Sequence, residues 1–184
     1  MVYKTVDLAD GREAVLDWAR KKDLPEILEV VNDVIREGKY LFWTEPYTSK
    51  GQLAWFRKNT KTGILKQDFF LIARVDGKVV GGAHVETHRE HPITHVAHYN
   101  IFLSKNFRNL GLGTILTKEF VEIAKQHGVE VIQLSVYASN ERAFHVYQKC
   151  GFKQAGRLTR GIKFSDGTYT DQILMEYLFK HQEL

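Results

Sequence analysis

The feature that most constrains the fold is a short run, RNLGLGT at residues 108–114, which joins two segments of different periodicity. Residues 95–104 before it have the apolar character of a strand, and Leu112, Leu116 and Phe120 recur at helical spacing. A helix that begins directly after a strand leaves its first N–H groups unpaired and directs the positive end of its dipole at the same point. Because glycine lets a ligand approach the backbone closely, the run predicts a site for an anion, and for phosphate in particular.

The whole chain, residues 1–184, is predicted to form a single α/β domain with its core at about residues 13–180, because no repeat or flexible linker divides it. The element order β-α-α-β-β-β-α-β-α-β-β predicts a mixed, mainly antiparallel twisted sheet of about seven strands flanked by about four helices. The strands are expected at residues 13–20, 69–75, 78–87, 95–104, 129–137, 152–164 and 169–180. The helices are expected from a cap at Asp23 to about residue 37, at 49–59, from the glycine run to 127, and at 140–150.

Composition restricts the classes of function. The chain has one cysteine, Cys150, and a formal net charge of +4 without a block of like charges, which favours a solvated surface over a nucleic-acid interface. No apolar run reaches the length of a membrane span, and the N-terminus carries no recognisable secretory signal. A single thiol suits a reducing compartment, so we expect a cytoplasmic protein that binds neither nucleic acid nor membrane.

A second run, NERAFHVYQKCGF at residues 140–152, follows about 25 residues after the first. Together the two runs resemble the GNAT acyltransferase superfamily, whose Arg/Gln-x-x-Gly-x-Gly/Ala loop precedes an Asn-x-x-Ala-x-x-x-Tyr-x-x-x-Gly-Phe helix. Both patterns match without a gap, and the resemblance spans roughly residues 13–179. It implies the fold of that superfamily and an N-acetyltransferase with acetyl-CoA as co-substrate, nearest to enzymes that acetylate polyamines or ribosomal-protein N-termini.

The resemblance also implies which residues bind the cofactor. The glycine run would hold the diphosphate, with Arg108 adding a charged contact, and the end of the preceding strand would pair with the pantetheine arm through its backbone. Asn140 would cap its helix and contact the same arm. Tyr147 would be the general acid that protonates the leaving thiolate. The expected cofactor-binding residues are Ile101, Phe102, Leu103, Arg108, Asn109, Leu110, Gly111, Leu112, Gly113, Thr114, Asn140 and Tyr147.

The general base is less well defined by the sequence. Many members of the superfamily carry Glu where this chain has His98, and a histidine can accept a proton from an ammonium group, often through water. Glu86 on the preceding strand is a second candidate, and a water chain without a single base is a third. Five histidines lie between residues 84 and 98, but their spacing and the lack of a neighbouring cysteine do not favour a metal, so none is expected.

The acceptor is expected to be a primary amine: a polyamine, an amino acid, an antibiotic-like amine or a protein N-terminus. It would lie over the aromatic loop at 40–47 and the loop at 88–94, where Glu45, Glu86 and Glu90 would attract a cation. Transfer of an acyl group longer than acetyl is an alternative that the sequence leaves open. The alternative is a catalytically silent sensor or scaffold that binds acetyl-CoA, which the departure at His98 keeps open. Because many members of the superfamily are dimers, the resemblance also implies a homodimer.

Overall fold

A computed structural model describes residues 2–42, 45–48, 50–51, 69–87 and 92–179. The strands are β1 (Val2–Asp7), β2 (Glu13–Trp18), β3 (Phe69–Val75), β4 (Lys78–Thr87), β5 (Val96–Leu103), β6 (Val131–Tyr137), β7 (Lys153–Lys163) and β8 (Tyr169–Leu178). Over the same residues the α-helices are α1 (Leu24–Arg36), α2 (Leu112–Gln126) and α3 (Glu141–Lys149). The predicted fold class is confirmed. Each predicted strand or helix that the structure describes is present, and its observed bounds differ from the predicted ones only at the ends.

Two elements differ from the sequence prediction. β1 was not predicted, because its residues are mostly exposed and therefore carry no clear apolar alternation. The helix predicted at residues 49–59 lies almost wholly outside the described part of the chain. The sheet consequently has eight strands rather than about seven.

The sheet order is β1-β2-β3-β4-β5-β6-β8-β7, and every neighbouring pair is antiparallel except β5 and β6. These two strands are parallel because α2 provides the crossover between them. Their pairing covers only three rungs and ends where His98 lies beside Gln133. Beyond that rung the two strands separate, so a cleft opens within the sheet itself.

Helices cover both faces of the sheet. On one face α2 packs Leu112, Leu116 and Phe120 fully buried against the strands, and α3 contributes the buried Tyr147. On the other face α1 packs its own apolar stripe, which includes Ile27 and Val30, over β3 and β4. Because side chains of a strand alternate between faces, β5 contributes side chains to both of these cores and borders the cleft on both faces of the sheet.

Within the described residues, no helix has both the length and the apolar character needed to cross a membrane. Over the same part of the chain, no three histidine, cysteine or carboxylate side chains lie close enough together to hold a metal ion. Of the five histidines considered above, His88 and His91 lie outside the described residues. His84 is buried in β4, and burial lowers its pKa to about 4, so its ring is neutral at pH 7.

Candidate active site

The cleft between β5 and β6 holds a cavity of about 270 Å³. Its walls come from the end of α1, the segment after it, the separated halves of β5 and β6, the glycine turn, and α3. Most of the expected cofactor-binding residues line it: Ile101, Phe102, Leu103, Arg108, Asn109, Gly111, Gly113, Thr114, Asn140 and Tyr147.

The glycine turn presents unpaired backbone donors to this cavity. Gly111 has a φ of 85°, a left-handed conformation that glycine adopts without strain, and it is the N-cap of α2. The first intrahelical bond runs from the N–H of Ile115 to the carbonyl of Gly111 at 3.0 Å. The N–H groups of residues 112–114 precede that bond and have no carbonyl of their own helix to bind. The turn therefore has the geometry of an anion site, as the sequence predicts.

Arg108 does not direct its charge into the cavity as the sequence suggested. Its guanidinium donates two hydrogen bonds to the Glu37 carboxylate, at 2.7 and 2.6 Å, and two to the Leu103 carbonyl, at 3.1 and 3.0 Å. It also lies over the Tyr40 ring, 4.8 Å from the centroid. The hydrogen bond from Arg108, followed by the smaller effect of its charge, lowers the pKa of Glu37. The guanidinium is thus satisfied by the protein alone.

A different cation borders the cavity. Arg142 lies in the first turn of α3, is exposed, and forms no ion pair with the described residues. Beside it Asn140 caps α3, its side-chain oxygen accepting a hydrogen bond from the Ala143 N–H at 3.3 Å. Sequence reasoning missed Arg142, although its position two residues after Asn140 within the second run was a usable signal. Arg142 is therefore the available positive charge for an anionic ligand at this end of the cavity.

Tyr147 lies at the inner wall of the cavity and is 7% exposed. Burial, and to a smaller extent the neighbouring Cys150 thiol, raises the pKa of its phenol above the usual range. In the described part of the chain no group hydrogen-bonds the Tyr147 hydroxyl. The phenol is therefore protonated at neutral pH and free to donate its proton to a ligand in the cavity.

A hydrogen-bonded pair supports Tyr147 from below. The Tyr99 ring meets the Tyr147 ring edge-on, with centroids 6.3 Å apart and planes at 88°. The Tyr99 hydroxyl lies 3.0 Å from the Thr117 hydroxyl, which itself donates to the Gly113 carbonyl at 2.8 Å. Since Thr117 has one hydroxyl hydrogen, Tyr99 is the donor between the two. The pair connects the floor beneath Tyr147 to the glycine turn, and sequence reasoning did not identify it.

Two of the expected cofactor-binding residues do not line the cavity. Leu112 is fully buried in the core beneath the turn. Leu110 packs against that core, and its carbonyl accepts a hydrogen bond from the Ala9 N–H at 3.1 Å. The side chains of both residues therefore support the turn from behind.

The two candidate bases, His98 and Glu86, are direct cross-strand partners on β5 and β4. They lie on the α1 face of the sheet, whereas Tyr147 lies on the α2 face, and neither lines the cavity. His98 is half-buried on the last paired rung, and Asn100, two residues further along the same face, does line the cavity. Glu86 is exposed. His98 thus lies on the last rung before the two strands separate, and both candidates lie on the face of the sheet opposite Tyr147.

The predicted acceptor loops are described only in part. Tyr40, Leu41 and Phe42 line the cavity, and this three-residue stretch is called the aromatic segment below. The Leu41 carbonyl accepts a hydrogen bond from the Tyr137 hydroxyl at 2.7 Å, and the Phe42 ring lies 5.1 Å from that of Tyr137. Residues 88–91, including Glu90, lie outside the described part of the chain.

The chain is similar to known acetyltransferases in both sequence and structure. Residues 32–152 match the family model described as the acetyltransferase (GNAT) family, a range that includes both the glycine turn and α3. The L-amino acid N-acetyltransferase AaaT of Escherichia coli is 32% identical over 108 residues, covering 57% of this chain and 65% of AaaT. The L-amino acid N-acyltransferase MnaT of the same species is 23% identical over 161 residues, covering 86% of this chain and 90% of MnaT. A solved acetyltransferase of the GNAT family from Streptococcus pneumoniae has a TM-score of 0.82 at 27% identity, over 90% of this chain and 99% of that chain.

Proposed function

The chain belongs to the acetyltransferase (GNAT) family, which uses acetyl-CoA as co-substrate, and on that premise we propose that it acetylates the amino group of a free amino acid or similar small amine. One observation carries the proposal. One cavity in the split sheet is lined by a turn with unpaired backbone N–H groups and by Tyr147, whose hydroxyl is hydrogen-bonded by no described residue. A long anionic thioester needs both features, one to hold its phosphates and one to receive its leaving group.

The residues of the cavity fit acetyl-CoA. The N–H groups of the glycine turn would bind the diphosphate, with Arg142 supplying positive charge. The backbone edge of Ile101 and Phe102, which β6 leaves unpaired, would hydrogen-bond the pantetheine amides. Leu103 would line the same arm, since its carbonyl already accepts two hydrogen bonds from Arg108. Asn140 would stay the cap of α3 and border the same arm. Bound acetyl-CoA supplies an activated acyl group, a thioester carbonyl open to attack by an amine.

Tyr147 would act when the carbon–sulfur bond breaks. The attacking amine forms the new carbon–nitrogen bond, the electron pair of the breaking bond stays on sulfur, and the Tyr147 hydroxyl donates a proton to that sulfur. The amine would react in its neutral form and lose one proton to a base through water once the new bond has formed, which balances the proton that sulfur gains. Solvent would then return a proton to Tyr147 and take up the one held by the base. The raised pKa of the phenol keeps it protonated at neutral pH, so a proton is present beside the sulfur when the thiolate develops.

We propose that His98 receives the proton from the amine through water. Its half-buried position on the last rung between β5 and β6 places it nearer the cleft than the exposed Glu86. Since His98 and Tyr147 lie on opposite faces, the amine would enter from the α1 face and the thiolate would form toward the α2 face. This separation keeps the proton acceptor and the proton donor from neutralising each other.

The residues on the α1 face of the cleft support an amino acid as the acceptor. The aromatic segment and Tyr137 supply an apolar wall there, which fits the side chain of an amino acid better than a long polyamine. The similarity to AaaT and MnaT, an L-amino acid N-acetyltransferase and an L-amino acid N-acyltransferase, supports the same choice. Polyamines and protein N-termini are the competing acceptors in the test.

We also propose that residues 1–184 form one domain and that the chain acts as a homodimer. β7 lies at the edge of the sheet with most of its side chains exposed, including Leu158, which is 50% exposed. An unpaired, exposed edge strand is a ready surface for pairing with a second copy. Sedimentation analysis tests this directly.

The test of the function has two stages. Calorimetric titration with acetyl-CoA should give a single site, and thiol release should then be followed with twenty L-amino acids, spermidine and short N-terminal peptides. Release with amino acids alone supports the proposal as stated. Release only with spermidine or peptides would overturn the acceptor class, and absence of acetyl-CoA binding would overturn the cofactor site.

A further inference from the structure

The environment of Arg108 has a consequence for the amine side of the cleft. Arg108 belongs to the glycine turn, whereas Glu37 is the C-cap of α1 and lies three residues before Tyr40, the first residue of the aromatic segment. The carboxylate and guanidinium meet in a two-bond arrangement, and both side chains are shielded, at 12% exposed for Arg108 and 26% for Glu37. Such bidentate pairs are stronger and more directional than single contacts between surface charges.

The aromatic segment is held at three points. Tyr40 lies beneath the Arg108 guanidinium, the Leu41 carbonyl binds the Tyr137 hydroxyl on β6, and the Phe42 ring packs on Tyr137. The anchors come from opposite sides of the cleft, because Arg108 follows β5 and Tyr137 ends β6. The segment therefore bridges the opening between the two separated strands.

We propose that Arg108 and Glu37 are positioning residues that fix the aromatic segment over the amine side of the cleft and tie it mechanically to the cofactor turn. This rests on the proposed function, since it takes the α1 face as the acceptor side. It assigns Arg108 a different task from phosphate binding. To contact a diphosphate, the guanidinium would have to give up two charged bonds to Glu37 and two to the Leu103 carbonyl, whereas Arg142 is available without such a cost.

These contacts also predict that binding of a ligand at the glycine turn affects the aromatic segment. A ligand that tightens the glycine turn restrains Arg108, and through it Glu37 and Tyr40. Binding of CoA should therefore slow the local opening of the aromatic segment. The amine site would then be ordered best when the cofactor is already bound.

The test compares the full chain with Glu37→Gln and Tyr137→Phe. Hydrogen exchange of peptides covering residues 38–42 is followed by mass spectrometry, without ligand and with saturating CoA, and the Kd for CoA is measured by calorimetry. We expect both variants to exchange at these residues about fivefold faster than wild type, and the protection given by CoA to disappear in Glu37→Gln. We expect the Kd for CoA to change by less than about twofold in both.

Two results would overturn the proposal. The first is unchanged exchange at residues 38–42 in both variants. The second is a Kd for CoA about tenfold tighter in Glu37→Gln, which would mean that Glu37 competes with the diphosphate for Arg108. Arg20→Gln is the matched control, because it removes another Arg–carboxylate pair, with Asp17 at 2.7 Å, which lies before the first turn of α1 and so at the opposite end of that helix from Glu37. It should leave the exchange of these residues unchanged.

A kinetic readout separates positioning from general stability. With the amino acid that gives the fastest thiol release, both variants should raise the acceptor KM about fivefold and change kcat by less than about twofold. An equal loss of kcat with an unchanged acceptor KM would contradict a positioning role. The exchange measurement without ligand needs neither catalysis nor cofactor, so its outcome stays readable even if the proposed function fails.

Discussion

Gly113→Ala is expected to stabilise the protein and at the same time to weaken its binding of acetyl-CoA. Gly113 is the second residue of α2, its φ is not in the left-handed region, and an added Cβ would meet only the Leu103 Cδ1 atom, at an ordinary contact distance of 3.5 Å. The methyl group therefore fits the ligand-free protein. It would, however, occupy space beside the N–H groups that are proposed to receive the diphosphate.

The size of both effects follows from this geometry. Replacing glycine by alanine in a helix contributes about 0.5 to 1 kcal/mol, and for a domain of this length that raises Tm by roughly 1 to 4 °C. A methyl group in the phosphate cradle should weaken acetyl-CoA binding by about tenfold or more, which corresponds to about 1.4 kcal/mol. Thermal unfolding without ligand and calorimetric titration with acetyl-CoA measure the two quantities on the same samples.

Gly111→Ala is the matched control, because it lies two residues away in the same turn. Its φ of 85° is left-handed, and although nothing lies within 4 Å of the added Cβ, the backbone itself is strained by a side chain. We expect a loss of about 1 to 2 kcal/mol and a lower Tm, together with weaker binding. A raised Tm with unchanged affinity in Gly113→Ala would refute the reasoning, since the substitution would then fill no space that the ligand uses.

Three further predictions follow from the site. Tyr147→Phe should lower kcat by about 10²-fold or more with little change in the Kd for acetyl-CoA; unaltered turnover in a thiol-release assay would remove the phenol as the proton donor. Arg142→Gln should weaken acetyl-CoA binding and reduce its dependence on salt, and an identical salt dependence in titrations at two ionic strengths would contradict the assigned cation. The third concerns His84, whose folded pKa of about 4 lies below its unfolded value, so the native ring stays neutral while the unfolded chain takes up a proton. The free energy of unfolding should therefore fall by up to about 3 kcal/mol between about pH 6.5 and pH 4, and urea unfolding of His84→Gln over that range should show a smaller fall.

Much of the fold could be predicted because its signals are local. The glycine turn, the Asn140 cap and the apolar stripe of α2 are each set by residues within a few positions of one another. Their periodicity and turn chemistry act in the same way wherever the segment lies in a protein. β1 escaped prediction for the same reason, since an exposed edge strand has no apolar face to produce a pattern.

The interior of the site was harder to predict, because it depends on which strands separate. In the sequence, Tyr99 looked like any core residue of β5. It lines a cavity only because β5 and β6 separate after His98. His98 and Tyr147 were both candidates for proton transfer, but the sequence could not tell that they lie on opposite faces of the sheet. The pairing of strands is a property of the assembled sheet, so the sequence of one strand does not show at which residue its pairing with a neighbouring strand ends.

By itself, the sequence determined the presence of the glycine turn, the helix that carries Tyr147 and the family to which the chain belongs. The tertiary structure alone decided what Arg108 does. Its partner Glu37 lies 71 residues away, and packing α1 over the sheet is what brings the carboxylate within 2.6 Å of the guanidinium. The reason is that a backbone turn is stabilised by its own residues, whereas the direction of a long charged side chain is set by whichever opposite charge the fold brings within reach.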